Sequence, residues 1–455
     1  MSINSINPVN GQIIRSYQPH TSKEIREIID STHEAWKKWK ETPYSFRSKL
    51  LLETAKILRN KKEELAILMA LEMGKPLQGG RAEIEKCADV CEYYAENAER
   101  FLKDELIGTD ASKSYIHFQP LGIVLAIMPW NFPFWQVFRF LAPALMAGNA
   151  ALLKHASNVY GCAIEIEKII LEAGFPEHLF RTLIIPGSEA DQVIENPLVR
   201  AVTLTGSTEA GKKVAAKAAS LLKKSVLELG GSDAYLILED ADLELAAETC
   251  VNSRLINSGQ SCIAAKRFIV VKSVEKEFTE LFRQKMSLKV MGDPMDKNTD
   301  IGPQARPDLR DELHQQVQDS IKLGAKCILG GELPATGYSF YPPTILTGVK
   351  KGMPAYDEEM FGPVAAIITA NDENDAIQIA NDSIYGLGAA VFTQDIRKGE
   401  EIASKGLEAG SCFVNALVRS DARLPFGGIK GSGYGRELGL YGIREFVNIK
   451  TVYVK

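Results

Sequence analysis

The chain has 455 residues, of which 45% are hydrophobic and 24% charged, with a formal net charge of −5. Such a length predicts two or three domains with sizeable cores, and the composition excludes a disordered, collagen-like or coiled-coil chain. No basic footprint for nucleic acid is present, and seven cysteines without framework spacing fit a reducing compartment better than a disulfide scaffold.

In chain order, residues 1–20 read as strand and turn, with Asn10-Gly11 as a hairpin signal. No basic segment precedes an apolar one, so no secretion signal is expected. Thr21-Ser22-Lys23-Glu24 has the pattern of a capping box, and Ile25, Ile28, Ile29, Ala35, Trp36 and Trp39 follow with helical spacing. Further helical patterns cover 46–73 and 81–103, and Ser114–Gln119 alternates like an exposed strand that needs a partner, a candidate for pairing between subunits. Between Leu121 and Leu153, prolines, asparagines and Arg139 break the apolar run below the length of about 18–20 residues that a membrane span needs. The expected location is the cytoplasm.

From residue 122, short apolar runs at 122–128, 150–154, 182–185, 201–205 and 225–229 alternate with helical patterns such as 161–173 and 208–222. Strands alternating with helices predict βαβ units and a parallel sheet, with ligands beyond the carboxyl ends of the strands. After Leu229-Gly230-Gly231-Ser232 a second such rhythm begins. Strands are expected at 264–271, 325–329, 364–369, 389–393 and 411–415, with helices at 243–258, 275–286, 304–324 and 373–381. Residues 445–454 alternate as a final strand.

The dinucleotide fingerprint GxGxxG is absent, and Gly206–Lys213 nearly matches a phosphate loop but has Lys213 where Ser or Thr should stand. Thr205-Gly206-Ser207 reads either as a plain turn or as an anion-binding turn at a helix start. No cluster has metal-ligand spacing, and no GxSxG elbow is present. Cys262, among small polar residues in Asn257-Ser-Gly-Gln-Ser-Cys262, reads either as an inert core thiol or as a reachable nucleophile. Glu228 is a carboxylate at the apolar end of a strand, costly there unless hydrogen-bonded, protonated or beside a cleft. Asn131 lies between Pro129 and Pro133, which fix the chain around its amide. A thiol, a carboxylate and a fixed amide are the parts of acyl chemistry on sulfur.

Six motifs in order, Pro129–Pro133, Leu204–Glu209, Leu227–Gly231, Gly259–Cys262, Glu358–Pro363 and Pro425–Gly428, resemble the aldehyde dehydrogenase superfamily over essentially the whole chain. Pro133–Arg139, Leu153–Ser157 and Ser420–Phe426 are similar to its short bacterial succinate-semialdehyde dehydrogenases. The resemblance implies an α/β protein of two Rossmann-like domains. The dinucleotide-binding domain would span 1–103, 121–228 and 429–440, and the catalytic domain 229–428. Strands at 104–120 and 441–455 would join subunits into a homodimer or homotetramer.

The same resemblance implies residue roles. Cys262 attacks the aldehyde, Asn131 and the Cys262 N–H stabilise the oxyanion, a hydride leaves to the nicotinamide, and Glu228 is the base for hydrolysis of the thioester. Trp130, Lys154, Gly206, Ser207, Glu359 and Phe361 would bind the cofactor. Ser157 stands where many NAD-dependent members carry Glu. A carboxylate there repels a 2′-phosphate while a hydroxyl donates to it, so NADP is expected over NAD. His155 stands where the family often has Pro. Arg139, either a surface arginine or a cation in the substrate tunnel, suits a distal carboxylate, with Trp135 beside it and Ser420 adding a hydrogen bond; Arg423 is a weaker candidate. Succinic semialdehyde is the best-fitting substrate. The alternatives are another small aliphatic aldehyde or semialdehyde, CoA acylation (opposed by Glu228), a non-catalytic homologue and, most remotely, a P-loop NTPase.

Overall fold

The capping signal at Thr21 sets the first helix: the Thr21 hydroxyl accepts from the Glu24 N–H at 3.3 Å, and the Glu24 carboxylate accepts from the Thr21 N–H at 2.7 Å. The computed structural model describes residues 2–335 and 337–455. Ahead of that helix (Ser22–Trp39), β1 (Ile3–Ile6) and β2 (Ile13–Tyr17) form the antiparallel hairpin expected from Asn10-Gly11, with Gly11 at φ 77°. The single helix expected over 46–73 is two, Tyr44–Asn60 and Lys62–Met73, because the backbone leaves helical angles at Lys61 (φ −92°, ψ 6°). Asn60, a poor helix former, precedes that break. The helix Leu77–Phe101 packs against both and buries Tyr94 completely.

β3 (Glu105–Leu106) and β4 (Lys113–Pro120) leave the body as a ribbon. The first large sheet follows, with β5 (Ile123–Met128), β6 (Ala150–His155), β7 (Phe180–Thr182), β8 (Val199–Thr205) and β9 (Lys224–Glu228) all parallel. β7 ends earlier than expected because, after Leu183 gives its N–H to Leu153 of β6, Ile184 turns to His20 with both its N–H and its carbonyl. Its strand order, β7-β6-β5-β8-β9, reverses direction between β5 and β8. Helices on opposite faces diverge there and open a crevice beyond the strand ends.

The second sheet repeats the plan with β10 (Ala234–Ile237), β11 (Arg267–Val271), β12 (Lys326–Leu329), β13 (Thr344–Thr347), β14 (Val364–Ala370), β15 (Gly388–Phe392) and β16 (Ser411–Val414), in the order β12-β13-β14-β11-β10-β15-β16. Only β12 runs antiparallel to its neighbour. β10 and β13, each four residues long, are absent from the sequence expectation. β17 (Gly433–Tyr434) returns to the first sheet and pairs Gly433 with Glu228, and β18 (Val447–Val454) pairs along its whole length with β4. The fold is thus α/β, two doubly wound Rossmann-like sheets with a β extension. Among the described residues no helix is long and apolar enough to cross a membrane.

One close approach ties the second sheet to the segment beneath Glu228. A Cβ on Gly410 would lie 1.7 Å from the Gly427 carbonyl oxygen, and one on Gly427 would lie 2.8 Å from Glu228 Oε1. Backbone cannot yield as a side-chain tip does, so Gly410→Ala should lower the melting temperature by about 5 °C or more in a thermal scan. An unchanged melting temperature would contradict the packing.

Candidate active site

β5 ends at Met128 and runs into Pro129-Trp130-Asn131, while β8 ends at Thr205 and runs into Gly206-Ser207. Ser207 caps the helix Thr208–Ser220, its hydroxyl accepting from the Ala210 N–H at 3.3 Å. The first-turn amides and the helix dipole make this an anion-accepting end. A cavity of about 450 Å³ occupies the crevice, and its walls include Trp130, Asn131, Gly206, Ser207, Cys262, Glu359 and Phe361. Trp130 and Phe361 meet edge to face at 5.8 Å. Glu359 reaches in over two glycines: its carboxylate accepts from the Gly231 N–H at 3.1 Å, and a Cβ on Gly230 would lie 2.5 Å from it.

Cys262 is held by an unusual turn. After the helix Leu243–Leu255, Asn257 (φ 53°), Ser258 (φ 58°) and Gly259 (φ 77°) are all left-handed. Two non-glycine residues in that region carry strain, and Gly259 cannot be replaced cheaply because a Cβ would lie 2.2 Å from Gly362 carbon. Side-chain bonds hold the turn. Asn257 Nδ2 donates to the Asn131 carbonyl at 2.7 Å, and Asn131 Nδ2 donates to the Gln260 carbonyl at 3.1 Å. Lys266, fully buried, donates from Nζ to the carbonyls of Ser261 (2.8 Å) and Cys262 (2.6 Å) and lies 3.2 Å from Glu359 Oε1. Sequence reasoning missed Lys266; the one signal for it was a lysine closing the apolar run Ile263-Ala264-Ala265.

Burial acts on the thiol and on the carboxylate in the same direction. Burial pushes the Cys262 thiol up to about 12, with Lys266 and Arg139 pulling the other way. Glu228, 2% exposed, is also pushed well above the ordinary carboxylate range by burial, with Arg139 opposing. Neither of its oxygens has a hydrogen-bond partner, and it lies behind the cavity wall formed by Thr205 and Leu229 rather than in it. The structure therefore brings Cys262 and Asn131 to one cavity and sets Glu228 one residue behind its lining.

A second cavity, about 530 Å³, reaches Cys262 from the other side, and its walls include Lys86, Trp135, Arg139 and Ser420. Arg139 is no surface arginine. It is 2% exposed, pairs with buried Glu437, donates to Thr205 Oγ1 at 3.3 Å and stacks on Phe426 at 4.9 Å. Its charge is thus already shared with a carboxylate, a partner the sequence did not reveal. Arg423 stays outside both cavities, exposed and chelated by Asp421 at 2.8 and 2.7 Å.

Lys154 and Ser157 stand outside the described cavity lining, at the carboxyl end of β6 beside that of β5. Desolvation lowers the Lys154 pKa, and Ser157 is exposed at the start of a short 3₁₀ turn. His155 serves the scaffold. Its Nδ1 accepts from the Ala156 N–H at 2.9 Å, leaving Nε2–H to donate to the Pro133 carbonyl at 2.9 Å. Burial lowers its pKa to about 4, so it stays neutral and clasps the Asn131 turn to β6. An anion-accepting helix start, a desolvated lysine and a carboxylate cradled over two glycines fit an anionic dinucleotide. Among the described residues no group of three or more His, Cys, Asp or Glu could hold a metal.

Known proteins resemble this chain over its whole length. A probable succinate-semialdehyde dehydrogenase [NADP(+)] of Synechocystis sp. is 48% identical over 454 residues, covering all of both chains. The succinate semialdehyde dehydrogenase [NAD(P)+] Sad of Escherichia coli is 44% identical, covering 99% of this chain and 97% of its own. The crystal structure of succinic semialdehyde dehydrogenase from Streptococcus pyogenes in complex with NADP+ superposes with a TM-score of 0.97 at 36% identity, covering 99% of each chain. Residues 1–452 match the aldehyde dehydrogenase family, and the chain belongs to that family.

Proposed function

We propose that this enzyme oxidises succinic semialdehyde to succinate, with NADP as electron acceptor, through a thioester on Cys262. The observation that carries the reading is that one sulfur lies in the walls of two separate cavities, one suited to an anionic dinucleotide and one containing cations. The names of the Synechocystis and Streptococcus relatives support both the substrate and the cofactor.

Cys262 gives its thiol proton to solvent, Lys266 and Arg139 favouring the thiolate, and Sγ then attacks the carbonyl carbon of the aldehyde. The developing oxyanion takes hydrogen bonds from Asn131 Nδ2, whose other N–H is held by Gln260, and from the Cys262 N–H. Each such donor contributes about 3–4 kcal/mol. NADP bound against Trp130, Lys154, Ser157, Gly206, Ser207, Glu359 and Phe361 supplies the hydride acceptor. Glu228 turns out from behind Leu229, loses to solvent the proton its burial retains, and then takes a proton from the water that attacks the thioester carbon, releasing the acid and the Cys262 thiolate. Arg139, Trp135 and Ser420 shape the substrate side. Copies associate as a homodimer or homotetramer through the three-stranded ribbon, where Ile449 and Tyr453 stand 62% and 50% exposed. The working compartment is the reducing cytoplasm, where a free catalytic thiol persists.

Three measurements test this. In a steady-state panel of aldehydes with both cofactors, succinic semialdehyde with NADP should give the highest kcat/KM; a higher value with NAD or with an uncharged aldehyde would refute the assignment. Ser157→Glu should cut the NADP-to-NAD ratio of kcat/KM by about tenfold or more, since a carboxylate would face the 2′-phosphate. With the Cys262 thiol held up at about 12, the neutral thiol dominates below that pH. The thiolate fraction, and with it the rate of iodoacetamide alkylation at Cys262, should therefore rise about tenfold per pH unit from 7 to 9. A plateau near pH 7 would show a thiol held low instead.

A further inference from the structure

Four cations line the substrate cavity: Lys75, Lys86, Arg139 and Arg419. Two are already committed to carboxylates. Lys75 is paired with Glu83 in a fully buried contact, and Arg139 is paired with Glu437. Arg419 is exposed, where solvent and salt screen its charge. Lys86 differs from all three. It is half-buried on the helix Leu77–Phe101, its Nζ donates to Ser420 Oγ at 2.7 Å, and it lies 4.1 Å above the Trp135 ring.

The carboxylates near Lys86 belong to other groups. Glu83 also accepts from the N–H groups of Phe134 and Trp135 at 2.8 and 2.9 Å, besides pairing with Lys75. Asp421 is taken by Arg423 at 2.7 Å. Among the described residues Lys86 therefore has no ion pair of its own, only a hydroxyl and an aromatic face. Burial and the like charge of Arg139 lower its pKa to about 8, so the ammonium is held at a cost that an arriving anion relieves. A hydroxyl and a ring fix the ammonium without neutralising it, which is how a site keeps a charge available for a ligand.

We propose that Lys86, positioned by Ser420 and Trp135, is a further cation that recognises the distal carboxylate of the substrate, beside Arg139. The proposal rests on the reading of the substrate as a carboxylated aldehyde. In this arrangement the Ser420 hydroxyl acts through Lys86 as well as on the substrate, and the Trp135 indole forms the platform between them.

The test is steady-state kinetics of wild type, Lys86→Met and Lys86→Arg on succinic semialdehyde and on butanal, an uncharged aldehyde of equal carbon count. Lys86→Met should raise KM for the semialdehyde by about ten- to hundredfold, the loss of one charge-assisted hydrogen bond, with kcat little changed. It should leave kcat/KM for butanal close to wild type, which also shows that the variant folds. Lys86→Arg should recover most of the semialdehyde KM. An unchanged semialdehyde KM in Lys86→Met, or an equal loss on both aldehydes, would overturn the assignment. A wild-type enzyme that uses butanal as well as the semialdehyde would overturn the underlying reading of the substrate instead.

Discussion

The structure depends on one strained turn. Asn257 and Ser258 sit in the left-handed region, at about 1–3 kcal/mol each, and so lift Cys262 off the end of its helix into the gap between two sheets. Asn257 and Asn131 bridge that turn to the loop after β5, and Lys266 ties it to Glu359. Groups from both sheets thereby meet around one sulfur. Without those bonds the turn would relax, and the thiol would lose its place in one cavity or the other.

Around that turn, charge is rationed. Glu228 and Glu437 are both buried, and burial raises the pKa of each, with the Arg139 guanidinium opposing the rise in both cases and Arg436 adding to that opposition at Glu228. Burial and the like charge of Glu437 favour retention of a proton on Glu228. A carboxyl group kept protonated at rest and released near the water is suited to general-base work, because its proton affinity then lies closer to neutral pH. Arg139, besides facing both carboxylates, lines the substrate cavity.

Much of this was legible in the chain. The capping box at Thr21, the alternation of strands and helices after residue 122, and the carboxylate closing β9 follow from local chemistry, which acts over a few residues. Resemblance, not periodicity, connected Cys262 with Asn131, because 131 positions separate them and no local rule spans that gap. What stayed hidden was mostly pairing. Glu437 gives no sign in sequence that it meets Arg139, nor does Lys86 that it meets Ser420, 334 residues away. Buried lysines such as Lys266 read as surface residues until the fold encloses them.

The central claim is that Cys262 carries the acyl group between the two cavities. Its most direct test is peptide mass spectrometry of Glu228→Gln enzyme, acid-quenched after mixing with NADP and succinic semialdehyde. A succinyl thioester should accumulate on the peptide containing Cys262, because hydrolysis lacks its base. An unmodified Cys262 peptide alongside formed NADPH, or the acyl group on another residue, would contradict it.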